Sequence, residues 1–125
     1  KDVRLGFRVA KNMGGLDIGQ SVVVKQGVVL AVEAIEGTDQ AIRRGGSLGG
    51  PGSVVVKVSK PQQDERFDVP TVGKSTVESM IAAGSGVLGI EARKTLVTEQ
   101  KDLMELAVRH QLKIVAITAD ELKLD

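Results

Sequence analysis

The stretch AVEAIEGTDQAIRRGG, residues 31–46, gathers three carboxylates and two guanidiniums around one strand-to-helix junction. Glu33 interrupts an otherwise apolar run, where a charge leaving water needs a partner. Glu36 precedes Gly37, and Thr38 and Asp39 stand where a helix begins; either residue type can cap it. Arg43 lies four residues after Asp39, the spacing at which side chains meet along a helix, and Arg44 follows. Two chemistries fit these residues. One is a helix cap with a solvated ion-pair network. The other is an edge for a phosphate ester, because a helix start offers free amides to an anion and carboxylates attract a hard cation.

A second group lies in VKVSKPQQDERFDVPTVG, residues 56–73. Lys57, Lys60 and Arg66 could bind anions, and Asp64, Glu65 and Asp68 could bind a hard cation. Mixed charges on a long segment after a strand are the ingredients of a metal-assisted phosphate site, and equally those of a solvated loop. Pro70 pushes Val69 toward an extended backbone, which holds Asp68 in a set direction. A third candidate, GGSLGGPGS at 45–53, matches neither a GxxxxGK[ST] loop nor a GxGxxG loop, and it precedes a strand.

Elements must position these groups. Val3, Phe7, Ala10 and Met13 fall on one helical stripe, so VRLGFRVAKNM predicts a helix that runs toward residue 20 with a break or kink at Gly14 and Gly15. SVVVKQGVVLAVEA predicts a hairpin turning at Lys25, Gln26 and Gly27. TDQAIRR predicts a short helix capped by Thr38 or Asp39, and GGSLGGPG, residues 45–52, a flexible loop. Residues 53–60 predict a third strand and 61–73 a long loop. A helix over 74–84 stops at Gly84. GVLGIEA predicts a buried strand and KTLVT a short one, with a helix over 102–112 and a strand over 113–118 after them. Met80 and Met104 are expected to fill core gaps, and His110 to be solvated near a helix end. The order predicts an α/β class chain: a single compact domain with a mixed sheet, an N-terminal hairpin pair and flanking helices.

Composition excludes several functions. Apolar residues make up 42% of 125 residues, with two Phe and no Trp or Tyr, so stacking platforms for single-stranded nucleic acid are unavailable. A net charge of +1 supplies no bulk attraction to nucleic acid. Without cysteine and with one histidine, a metal here would be a carboxylate-held magnesium or manganese ion. No apolar run reaches the roughly 18 residues of a membrane span. The chain opens at Lys1 inside a periodic segment, the expectation for a fragment that lacks an N-terminal part.

Three strings, GQSVVVKQGVVLAVEAIEGTDQAIRRGG, VVKVSKPQQDERFDVPTVG and AAGSGVLGIEARKTLV, resemble the C-terminal domain of the LpxI-type UDP-2,3-diacylglucosamine pyrophosphatases over nearly the whole chain. The resemblance implies a two-domain bacterial enzyme of lipid A synthesis whose Rossmann-like N-terminal domain lies outside this chain. It implies hydrolysis of UDP-2,3-diacylglucosamine to UMP and 2,3-diacylglucosamine 1-phosphate with a divalent cation, the lipid sitting between the domains. The family's aspartate matches Asp68, and its EGTD motif matches Glu36, Gly37, Thr38 and Asp39. On this footing Asp68, Glu36 and Asp39 are the catalytic candidates, with Asp68 and Asp39 as metal ligands. Lys25, Thr38, Arg43, Arg44, Lys57, Lys60, Arg66 and Thr71 are the candidates to hold phosphate or substrate. A cytoplasmic enzyme touching the membrane only through its lipid is implied. Two other readings stay open: a non-catalytic lipid- or phosphate-binding module, and an oligomerisation domain that forms a homodimer through the hairpin edge at 21–32.

Overall fold

The computed structural model describes residues 1–59, 71–92, 96–97 and 100–118. Helix α1 (Asp2–Gly15) leads into strands β1 (Ser21–Lys25) and β2 (Val28–Val32). Helix α2 (Thr38–Gly49) and strand β3 (Val54–Lys57) follow. After them come β4 (Thr71–Val72), α3 (Lys74–Ala83), β5 (Val87–Glu91), β6 (Leu96–Val97), α4 (Gln100–Arg109) and β7 (Lys113–Ile117). The main sheet has the order β2-β1-β3-β5-β7; β4 and β6 pair separately and in parallel. β1 is antiparallel to both β2 and β3, whereas β3, β5 and β7 are parallel. The expected α/β class, mixed sheet and hairpin are all present.

Period-two alternation divides the core. Val22, Val24, Val54, Val56 and Val58 face α1, where they pack with Phe7, Ala10 and Met13. Val23, Val55 and Leu88 face the other way, toward Ile42, Val77, Met80 and Leu103 of α2, α3 and α4. Among the described residues, one helix covers one face and three cover the other. The hairpin turns at Gln26 and Gly27, both at positive φ (50° and 82°), the geometry of a two-residue turn whose twist matches its strands. Gly84 closes α3 in the left-handed conformation, as its position predicts.

Four expectations are corrected. Residues 45–49 are not a loop: α2 continues to Gly49, and its glycines are contact points. A Cβ on Gly45 would lie 2.6 Å from a Val23 methyl, and one on Gly46 2.6 Å from the Ala83 Cβ. Only glycine lets α2 approach β1 and α3 this closely. Second, α1 ends at Gly15, with Leu16 as its C-cap, and the chain turns there through Asp17 at φ 59°. Third, Thr71 and Val72 of the expected 61–73 loop form β4, while residues 61–70 lie outside the described residues. Fourth, Met104 is 45% exposed, on the outer side of α4, while Met80 is fully buried as expected.

Candidate active site at the carboxyl edge of the sheet

The parallel strands β3, β5 and β7 end at one edge of the sheet, the edge where ligands usually sit in such folds. The antiparallel neighbours bring complementary parts there. β1 starts at this edge, with Ser21 opposite Lys57, and β2 ends at it, just before Glu33. The first turn of α2 points its amides the same way.

A cluster forms on the α2 face. The Thr38 hydroxyl donates to Glu33 Oε1 at 3.2 Å and lies 3.2 Å from the buried Ser21 hydroxyl. Half-buried Lys57 donates to the Thr71 carbonyl at 2.9 Å. Burial pushes its ammonium below the ordinary lysine range, and the charges of Glu33 and then Asp39 offset part of that. Thr38 and Asp39 do not cap α2. The N-cap is Gly37, at φ 91° and without a side chain, so no side-chain hydrogen bond closes the first turn. The Thr38 hydroxyl is instead turned back onto β1 and Glu33.

Glu36 and Arg44 engage each other. Arg44 Nη2 donates to Glu36 Oε2 at 2.9 Å and to the Val32 carbonyl at 2.8 Å, and Glu36 Oε1 accepts the Ala34 amide at 2.7 Å. The Ala34 amide, then Arg44, hold the Glu36 carboxyl below its usual 4.5. This pair fastens the β2–α2 turn. Arg43 points away, lining a shallow cleft of about 300 Å³ with Gly46, Ser47, Ala82 and Ala83. Lys25 is at the opposite edge of the sheet, donating to the Gly49 carbonyl at 2.7 Å, because β1 runs antiparallel to β3. The structure therefore brings together Thr38, Asp39, Lys57 and the backbone of Thr71, and leaves Lys25 and Arg43 outside the cluster. Lys60, Asp64, Glu65, Arg66 and Asp68 lie outside the described residues.

Sequence reasoning did not single out Ser21, Lys11 or Glu91. Glu91 closes β5 and is 5% exposed, facing α1. Its Oε1 accepts both the amide and the hydroxyl of Ser59 at 2.9 Å, and Lys11 Nζ lies 3.2 Å from each carboxylate oxygen. The available signal was a single charge ending the apolar run VLGIE, the same pattern that drew attention to Glu33. Among the described residues no three acidic or imidazole side chains converge as a metal would need. The charge of Asp39 acts on Lys57 from the start of α2. What the clustered residues can do is hold an anion and orient a water: one ammonium, two carboxylates, two hydroxyls and an open helix turn share one edge.

The LpxI C-terminal domain family matches residues 1–115. UDP-2,3-diacylglucosamine pyrophosphatase LpxI of Caulobacter vibrioides (strain ATCC 19089 / CIP 103742 / CB 15) is 37% identical over 131 aligned positions, covering 96% of this chain and 46% of that protein. The chain thus spans about half the length of that relative. Among solved structures, dCMP deaminase from the cyanophage S-TIM5 in apo form is similar at a TM-score of 0.55, with 12% identity over 90% of this chain and 94% of that one. At that identity the likeness concerns the fold alone.

Proposed function

This chain belongs to the LpxI family, as its C-terminal domain, and from that premise we propose that it supplies one side of the site that hydrolyses the pyrophosphate of UDP-2,3-diacylglucosamine to UMP and 2,3-diacylglucosamine 1-phosphate. The observation that carries this reading is the 37% identity over nearly the whole chain to a protein named for that reaction. The rest of the protein, a Rossmann-like N-terminal domain in this reading, supplies the other side, so this domain alone is inactive. The enzyme is cytoplasmic and meets the inner membrane through its lipid substrate and product; among the described residues no helix is long and apolar enough to cross a membrane.

The carboxyl-edge cluster fits such chemistry. Pyrophosphate cleavage needs charge neutralisation and an oriented water more than covalent help. Lys57 sits where its ammonium can hold a phosphate oxygen, beside the open first turn of α2. The charges of Glu33 and Asp39 act on it; in this reading Asp39 orients or deprotonates a water, while Glu33 holds the Thr38 hydroxyl. Glu36 and Arg44, already engaged with each other, shape the turn rather than touch substrate. Lys60, Arg66 and Asp68 complete the proposal from sequence. Magnesium or manganese would neutralise phosphate charge when bound, and that requirement is tied to Asp68 with Asp39, since the described residues make no cation site by themselves.

Lys57→Met in the full-length parent tests the geometric part. Loss of a charge-assisted phosphate contact made in the transition state predicts a kcat lowered roughly 10²-fold or more with the fold intact. Wild-type turnover would remove Lys57 from the site. The second reading is a binding module whose partner domain does the chemistry. It predicts a raised KM with kcat unchanged.

A further inference from the structure

We infer that Glu91 is a positioning residue for the proposed hydrolysis, acting through Ser59 on the carboxyl end of β3; this rests on the reading above. Every polar group of Ser59 is held. Its amide and hydroxyl donate to Glu91 Oε1 at 2.9 Å each, and its carbonyl accepts from Lys11 at 3.2 Å. Lys11 completes the arrangement by pairing with both oxygens of Glu91 at 3.2 Å. Residue 59 is 9% exposed and Glu91 5%. Ser59 lies two residues beyond the end of β3, past its alternation, while Lys57, the last residue of β3, reaches the Thr71 carbonyl on the opposite face of the sheet. The end of β3 is therefore gripped from the α1 face by Glu91 and Lys11, and it presents Lys57 on the α2 face.

The Lys11 side chain of this ion pair stays 28% exposed, against 7% for Glu91, so the attraction between the charges adds little stability by itself. The pair's three hydrogen bonds to one backbone residue do something an apolar pair cannot, which is to set the direction of the strand end. A displacement of about 1 Å at a group that contacts the reacting centre is enough to lower a rate by roughly 10²-fold. Glu91 touches no reacting atom in this account. Its effect passes through Ser59 to Lys57.

The test compares Glu91→Gln, Glu91→Leu and Ser59→Ala in the full-length enzyme, by release of UMP from UDP-2,3-diacylglucosamine. Glutamine keeps an acceptor for the Ser59 amide and hydroxyl, so its kcat stays within about threefold of the parent. Leucine keeps the volume and loses the acceptor, so kcat falls at least about tenfold while KM stays within about twofold. A Glu91→Leu kcat within twofold of the parent, or a raised KM with kcat unchanged, overturns the inference. If Glu91→Leu does not fold, Ser59→Ala decides: a kcat lowered about threefold at unchanged KM supports the inference, and an unchanged kcat overturns it. If the parent releases no UMP, the proposed function fails, and amide exchange then judges the clamp by itself. The Ser59 amide should exchange faster in Glu91→Leu than in the parent, because that variant removes its acceptor; equal rates overturn it.

Discussion

Gly45→Ala will destabilise the chain although it replaces glycine by a better helix former. Gly45 lies inside α2, where alanine gains about 1 kcal/mol in helix propensity. Its added Cβ, however, would fall 2.6 Å from Cγ1, 2.7 Å from Cβ and 3.0 Å from Cγ2 of Val23. Carbon atoms in good contact stand about 3.5–4.0 Å apart, so roughly 1 Å must be found. Val23 cannot supply it by rotation, since all three of its side-chain carbons lie in the path and it is fully buried. α2 cannot readily supply it either, because Gly46 already seats the helix on Ala83. Overpacking of this kind costs about 1–3 kcal/mol. Set against the propensity gain, the net expectation is a loss of up to about 2 kcal/mol, centred near 1 kcal/mol, or a fall in Tm of roughly 4 °C for a chain of this size. Gly15→Ala is the control: nothing lies within 4 Å of its added Cβ, and it should be neutral or stabilising by up to about 1 kcal/mol. Thermal and urea unfolding of the 125-residue chain measure both. A Gly45→Ala Tm at or above wild type would refute the packing argument.

Further outcomes follow from the same geometry. Burial lowers the Lys57 pKa below 10.5, so between that lowered value and 10.5 the unfolded chain binds more protons and wild-type stability rises with pH. Lys57→Met lacks this rise; its stability relative to wild type should be greatest near neutrality and decline toward pH 10.5, read from urea midpoints. The depressed Glu36 pKa gives the opposite window: the contribution of the carboxylate is present above 4.5 and is lost as pH falls through the lower folded value. Wild type and Glu36→Gln should therefore converge in Tm below pH 4.5. Thr38→Val removes the donor to Glu33 and should lower stability by about 1 kcal/mol, measured by urea unfolding.

Local features were legible in the sequence. The valine runs around Lys25 announced the hairpin, Gln26-Gly27 its turn and Gly84 the end of α3, because strand alternation and left-handed turns depend on a few adjacent residues. GGSLGGPG misled for the converse reason. Glycine is a poor helix former in isolation, and only the close seats on Val23, Ala83 and Leu30 explain why 45, 46 and 49 must be glycine within a helix. At the site, Glu33, Thr38 and Asp39 could be grouped because they are neighbours in the chain. Lys25 could not be placed, since a strand's residues do not reveal which edge of the sheet its end reaches. Glu91 and Lys11 are 80 residues apart, and only the tertiary fold makes them a pair.

The most direct test of the account is release of UMP from UDP-2,3-diacylglucosamine by the full-length parent, with and without magnesium, beside its Asp68→Ala variant. The account predicts magnesium-dependent release by the parent and a kcat lowered by at least about 10²-fold in a folded variant. Release that is equal in parent and variant, or none from the parent, would contradict it.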